Sequence, residues 1–243
     1  MKQIKIFIAS FLLLNSMAQA DIALYYKSNN EISSILVSNG KVRIDKSRGE
    51  NAIIFDLKQD RLLILDFKKQ QYIDMEKMVE KVSIMQAQMK SILEQQIKNM
   101  PPEEQQEMRK MLLQMPDSVA PVVTVKKTGQ KDKIMGIECE RIVVTQNQHK
   151  DEMCVVPIEK IGMLTADFNT MEKLMTRMNN LANKAKTPVK QRPLLMHEDM
   201  GGIPIKNYGG MQRELIRVEH QPLKTHLFTI PQGYTEKKLK LMR

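Results

Sequence analysis

The chain has 243 residues, a formal net charge of +10, 42% hydrophobic and 5% aromatic residues, no Trp and two Cys. That length buries a core without staples, and two cysteines exclude a disulfide-dense scaffold. So few aromatics, with no dense basic cluster between them, exclude a stacking groove for single-stranded nucleic acid.

The first 20 residues read as a cleaved export signal. Lys2 and Lys5 form a positive start, residues 6–14 are apolar, and Ala18-Gln19-Ala20 offers small residues ahead of a cut before Asp21. The expected location is therefore periplasmic, or secreted where the host lacks an outer membrane. The cut leaves 223 residues and a net charge of +8, since Lys2 and Lys5 leave. No later run approaches the ~18 apolar residues of a membrane-spanning helix. Residues 21–236 are expected to form a single domain, with a helical hairpin inserted at 75–115 and a basic tail at 237–243.

Residues 21–74 read as sheet. "IALYYKS" is a strand, and "EISSILVSNGKVRID" holds two more around Asn39-Gly40, a strong hairpin turn. Three further strands centre on residues 53–55, 62–65 and 72–73. Their connections "KQD" and "KKQ" are too short for parallel crossovers, so the strands form a meander. From Met75 the period changes. Met75, Met78, Val82, Met85, Met89 and Ile92 step by three and four residues onto one helical face. Pro101-Pro102 ends that helix and opens a second, which carries Met108, Met111, Leu112 and Met115 and stops at Pro116.

Strand character returns at 119–127. "MGIECERIVVTQ" and "EMCVVPI" form a hairpin whose arms carry Cys139 and Cys154, expected to pair in an oxidising compartment. Residues 162–185 contain a third helix with Met171, Leu174, Met175, Met178 and Leu181 on one side and Asp167 or Asn169 as its cap. "GGIPIKNYG", "RELIRVEHQ" and "THLFTIPQGY" supply the last strands. About ten strands and three helices predict an α+β chain, its sheet covered on one face by the helices.

The methionine stripe has four readings. Met is a good helix former that fills uneven gaps, so core packing suffices. Its flexible thioether also suits a cavity for acyl chains, a soft-metal site, or a surface that receives another protein. Residues 75–115 hold six acids and six bases, which argues against a basic, membrane-adsorbing helix.

Catalytic patterns are weak. His149, His197, His220 and His226 form no HExxH, no Ser lies in GxSxG, and Glu138 and Glu140 share a strand face as many exposed carboxylates do. Gly201-Gly202 and Gly209-Gly210 open no phosphate loop. The expectation is a protein that is not an enzyme and uses no cofactor and no metal.

The order "NGKVRID", "AIIFD", "LLILDFKKQQYIDM", "GIECERIVV", "GIPIK" and "LFTIPQGY", closing on Phe228, Pro231, Gly233 and Tyr234, resembles a family of uncharacterised secreted bacterial proteins related in fold to the outer-membrane lipoprotein carrier. In that pattern Gly136 and Cys139 match the central hairpin, and Gly202, Ile203 and Pro204 a short late strand. The resemblance implies a large curved antiparallel sheet, a half-barrel of lipoprotein-carrier type, with helices as a lid over an apolar cavity. The long Met-rich hairpin departs from it.

The function these readings predict is noncatalytic binding of a lipid or acylated ligand between sheet and lid. Tyr25, Phe55, Leu63, Met85, Met89, Met111, Met171, Met175 and Met178 are the expected lining. The alternative is a structural or protein-interaction module of the envelope with a filled core and no physiological ligand. The expected partners are a lipid or acylated molecule, an envelope protein or an anionic membrane surface, and no nucleic acid.

Overall fold

Tight turns set the architecture. In a computed structural model describing residues 21–46, 48–113, 123–146, 149–185, 198–209 and 212–238, β1 (Ile22–Ser28), β2 (Glu31–Ser38), β3 (Lys41–Asp45), β4 (Asn51–Asp56), β5 (Arg61–Asp66) and β6 (Gln71–Asp74) run back and forth. Asn39 (φ 49°) and Gly40 (φ 74°) make the β2–β3 turn. Two consecutive positive φ angles match the twist of the flanking strands, and Asn-Gly reaches them at least cost.

The helices α1 (Met75–Lys98) and α2 (Pro102–Leu113) follow. Asp74 caps α1 by accepting from the Lys77 amide, and the break falls at the paired prolines. Then come β7 (Val123–Ile134), β8 (Ile137–Gln146), β9 (His149–Val156), α3 (Thr165–Lys184), β10 (Ile203–Asn207), β11 (Arg213–His220) and β12 (Thr235–Glu236). The cap of α3 corrects the expectation: Leu164 takes that position without a side-chain bond, and Asp167 is buried.

All twelve strands form one sheet in the order β12-β6-β5-β4-β3-β2-β1-β11-β10-β9-β8-β7. The first strand thus lies inside the sheet, between β2 and β11. Every pairing is antiparallel except β12 with β6. The half-barrel of lipoprotein-carrier type is overturned here. The sheet is open, with β7 and β12 as its two ends, and the expectation of a cover on one face alone also fails.

Both faces are filled. Ala52, Ile53, Ile54 and Phe55 of β4 are all buried, and so are Leu62, Leu63 and Leu65 of β5. A strand buried on both sides loses the alternation of a one-sided sheet. On the first face Ile22, Leu24, Val37, Val42, Ile53 and Phe55 pack against Met171, Leu174 and Leu181 of α3 and Val79 of α1. On the second, Ala23 and Leu36 meet Phe228, and Ala52, Ile54, Leu63 and Leu65 meet Ile230 and Tyr234.

That second cover is the segment between β11 and β12. Residues 225–234 were expected to be a strand. Instead Thr225–Phe228 is a 3-10 turn, and the chain then crosses the sheet as a strap. Pro222 and Pro231 flank the turn, and neither has an N–H for a ladder. Arg43 fixes the strap by donating from Nη1 to the Leu227 carbonyl at 2.7 Å. The strap ends as β12, which covers the edge of β6.

The Met-rich hairpin is not a lid. The start of α1 packs on α3, β5 and β6, and its middle is tied to the end of α3 by Ser83 and Gln86, which donate to the Lys184 and Ala185 carbonyls. Beyond Gln86 the side chains of α1 are mostly exposed, and Ile97 alone is buried there.

Cys139 and Cys154 form a disulfide between β8 and β9, with Cα atoms 5.5 Å apart and a sequence separation of 15. Replacing both with Ser is expected to cost about 3 kcal/mol, the chain-entropy value for a loop of this size, read from the urea midpoint. An unchanged midpoint would refute the stabilising role. Phe228→Ala is expected to cost about 3 kcal/mol by emptying the strap's anchor, whereas Met89→Ala on the exposed helix should stay within about 0.5 kcal/mol. Comparable losses from the two would contradict the assigned covers.

Candidate functional site

The nine residues expected to line a cavity do not meet. Phe55 and Met171 are buried in the core against α3, with Met175 and Met178 partly buried at its margin. Leu63 lies on the opposite face under the strap. Tyr25 is also on that face, where its hydroxyl donates to Glu219 at 3.0 Å and Arg217 stacks on its ring at 3.9 Å. Met85 is half-buried and Met89 is exposed, both on α1. The side chain of Met111 lies outside the described residues.

Clefts of ≈ 140, ≈ 230 and ≈ 510 Å³ formed by described residues contain none of the nine. Polar and charged residues outnumber apolar ones around each. The sheet's apolar residues are consumed in packing, so the expected lipid pocket is absent among the described residues. The description of a methionine-rich lid falls with it. Met163 and Met171 pack in the main core, Met153 and Met200 in a cluster beside β8 and β9, and Met135 is exposed in a turn.

What the molecule does expose is the outer part of α1. Ile84, Met89 and Ile92 are 46%, 55% and 53% exposed. Met85, Met89 and Ile92 lie along one line of the helix by their spacing. α2 packs on α1 and makes no comparable contact with the sheet.

A polar band crosses the other half of the sheet. The Tyr208 hydroxyl donates to Asp132, which also accepts from Arg141 Nη2 at 3.2 Å. Arg141 Nη1 donates to Glu152 at 3.0 Å, and its guanidinium lies 4.3 Å from the centre of the Tyr208 ring. The Tyr208 hydrogen bond, with help from the Lys133 amide and Arg141, holds the Asp132 carboxyl down at about 2. Burial and the same hydrogen bond push Tyr208 up to about 12.

Two more arginines stack on tyrosines. Tyr25 pairs with Arg217 and Tyr26 with Leu215, so Ile216 is an extra, bulged residue in β11. The bulge sends Arg217 to the strap side, over Tyr25, and leaves Arg213 on the α3 side, 3.9 Å from the centre of the Tyr26 ring. Near the α3 start, Asp167 and Asp21 are buried beside Thr170 in the ≈ 230 Å³ cleft. Burial, and then the neighbouring Asp21, raise the Asp167 pKa.

The remaining candidates stand apart. Glu138 pairs with Lys131 and Glu140 with Lys127. His149 faces Asp151 at 3.3 Å, and His220 and His226 are exposed. His197 lies outside the described residues. Among the described residues, no three His, Cys, Asp or Glu side chains converge as a metal cluster.

A family model described as "Domain of unknown function (DUF4412)" matches residues 21–234. The chain belongs to the DUF4412 family. No curated protein matches it significantly. Among solved structures it is similar to one titled "Structure of PNGF-II in C2 space group", with 11% identity over 90% of this chain and 31% of that one, at a TM-score of 0.41. A likeness at that level carries no argument about activity, and the chain spans about a third of that protein's length.

The lipoprotein-carrier resemblance finds no support in these comparisons. Its motifs are strand-and-turn fragments such as "NGKVRID", which any antiparallel meander requires. They fix hairpins in this DUF4412 chain without fixing the shape of the sheet they build.

Asp132 gives a pH prediction. A carboxyl whose pKa is lowered on folding stabilises the protein above its unfolded value of ~3.8, and that contribution disappears as pH falls toward 2. Tyr208→Phe is expected to raise the Asp132 pKa toward 3.8 and to move this acid loss of stability upward. NMR titration of the Asp132 carboxyl checks it, and an unmoved pKa would show that Tyr208 is not the cause.

Proposed function

We propose that this protein is a noncatalytic, exported module of the cell envelope, periplasmic where an outer membrane exists, which works by binding another protein along its helical hairpin. The observation that carries this reading is a contrast in burial. Both faces of the sheet's first half are filled by α3 and the strap, while Ile84, Met89 and Ile92 of α1 stay about half exposed.

Met85, Met89 and Ile92, spaced four and three apart, lie along one line of the helix and fit a hydrophobic groove on a partner protein, with Ile84 beside them. Met adapts to such a groove at little cost because its side chain is unbranched. The balanced charge of residues 75–115 favours a protein partner over an anionic membrane surface, which would select a basic polar face. The anchoring of α1 to α3 through Ser83 and Gln86 gives the projecting part a firm base. The sheet in this reading is a scaffold, and the disulfide and strap keep it rigid.

A photoreactive amino acid at position 92 tests the reading in cells, with position 131 on the far edge strand β7 as the control. The expected result is one discrete protein adduct from position 92, diminished by Met89→Lys at an unchanged unfolding midpoint, and none from position 131. Equal labelling from both positions, or an adduct that Met89→Lys leaves intact, would overturn it.

A further inference from the structure

The cleft of ≈ 510 Å³ at the open ends of β1, β10 and β11 is lined by Lys27, Asn29, Lys206, Tyr208, Arg213 and Glu214 among others. We propose that it is a binding site for a phosphate group, free or carried on a small soluble ester. This proposal is independent of the hairpin's role, because the cleft and the hairpin share no residue.

The case begins with Arg213. Its guanidinium stacks on Tyr26, and Nη2 donates to the Ser33 hydroxyl at 3.3 Å. Nε is buried with no hydrogen-bond partner. No carboxylate among the described residues pairs with it, and burial lowers its pKa from the ordinary value. Arg141 and Arg177 also bury an unbonded Nε, but each faces two carboxylates: Asp132 and Glu152 for Arg141, Asp60 and Glu76 for Arg177. Arg213 is part-buried with a fully enclosed Nε and, among the described residues, has no carboxylate to offset its charge. A buried charge left unpaired is strongly unfavourable, and sites that hold such a charge are candidates for ligands.

The rest of the cleft adds to the deficit of negative charge. Lys27 has no carboxylate partner among the described residues. Glu214, the one acid lining the cleft, is already paired with Lys206 at 2.8 Å. Three cations and one anion leave a net charge of +2, which matches a phosphate at neutral pH, about −1.5 to −2. Asn207 turns its Oδ1 to the Gly209 amide at 2.7 Å, and its NH₂ has no hydrogen-bond partner among the described residues. The planar guanidinium fork meets two phosphate oxygens at once, and the two lysines act as point charges beside it. Tyr208 forms an aromatic wall whose hydroxyl is committed to Asp132. The volume falls in the range of small-molecule sites.

The bulge at Ile216 is what builds this arrangement. Without it, Arg213 and Arg217 would share a face by parity. With it, one cation enters the cleft and the other joins Glu219 on the strap side.

Titration calorimetry of the mature protein with inorganic phosphate, at ionic strength matched with chloride, is the test. Saturable heat is expected from phosphate and none from chloride. Arg213→Met should abolish it while leaving the unfolding midpoint unchanged or higher, since a buried unpaired charge gives way to an apolar side chain of similar volume. Lys27→Gln, at an exposed position that folding does not need, should weaken binding roughly tenfold, the effect of one charge-assisted hydrogen bond. Lys69→Gln, remote from the cleft, should change nothing. Glycerol phosphate binding more tightly than inorganic phosphate would assign the ester, and the reverse order the free anion. No phosphate-specific heat in the wild type, or heat that survives both Arg213→Met and Lys27→Gln, would overturn the proposal.

Discussion

The structure depends on filling both faces of a sheet in which β4 and β5 carry unbroken apolar runs. β4 and β5 cannot leave either side in water, because each side carries isoleucine, leucine or phenylalanine. α3, joined by the first turns of α1, and the strap answer that demand. The strap contributes Phe228, Ile230 and Tyr234 on one side, and α3 contributes Met171, Leu174 and Leu181 on the other. Among the described residues, the half of the sheet covered twice in this way has no interior left for cargo. The same demand explains why the methionine helices need not act as a cover: α3 has already taken the place expected for them.

The two halves of the sheet solve different problems. From β1 to β6 the burial is apolar on both sides. From β7 to β10 the strands carry more charge, held by the disulfide, by the Tyr208–Asp132–Arg141–Glu152 network and by a small cluster around Ile142 and Met153. Gly202 marks how closely the chain runs there: a Cβ on it would lie 2.2 Å from the Val156 carbonyl oxygen, so only glycine lets β10 begin beside β9. Polar networks of this kind hold specific geometry at modest net gain, which suits the part of the sheet where charged side chains are displayed.

Local signals in the sequence decide the structure where a few neighbouring residues suffice. Asn39-Gly40 sets a hairpin turn, Pro101-Pro102 breaks a helix pair, and the cysteines sit on the two arms of one hairpin. The errors arise where distant segments decide. The unbroken runs "AIIF" and "LLIL" signal burial on two faces, but not which segments supply the two covers. Residues 225–234 have strand-like alternation, and only the prolines beside them hint at a strap. The periodicity of α1 was sound, but an apolar stripe shows that a helix has a face and not what meets it. The cleft around Arg213 was illegible for a further reason. It rests on a single bulged residue, and no composition or spacing rule places a bulge at Ile216.

The position of β1 has a kinetic meaning. Tyr25 on this strand bonds Glu219, 194 residues away, so the first described strand completes its pairing with nearly the last. Most of the chain must be present before the middle of the sheet exists, and closing so long a loop is costly before any contact rewards it. The hairpins from β1 to β6 can form early and locally, but they carry two unpaired edges and two uncovered faces until β11, β12 and the strap arrive. That interval is when the chain is most prone to wrong pairing, and it makes slow, late-stage assembly a built-in property of this topology.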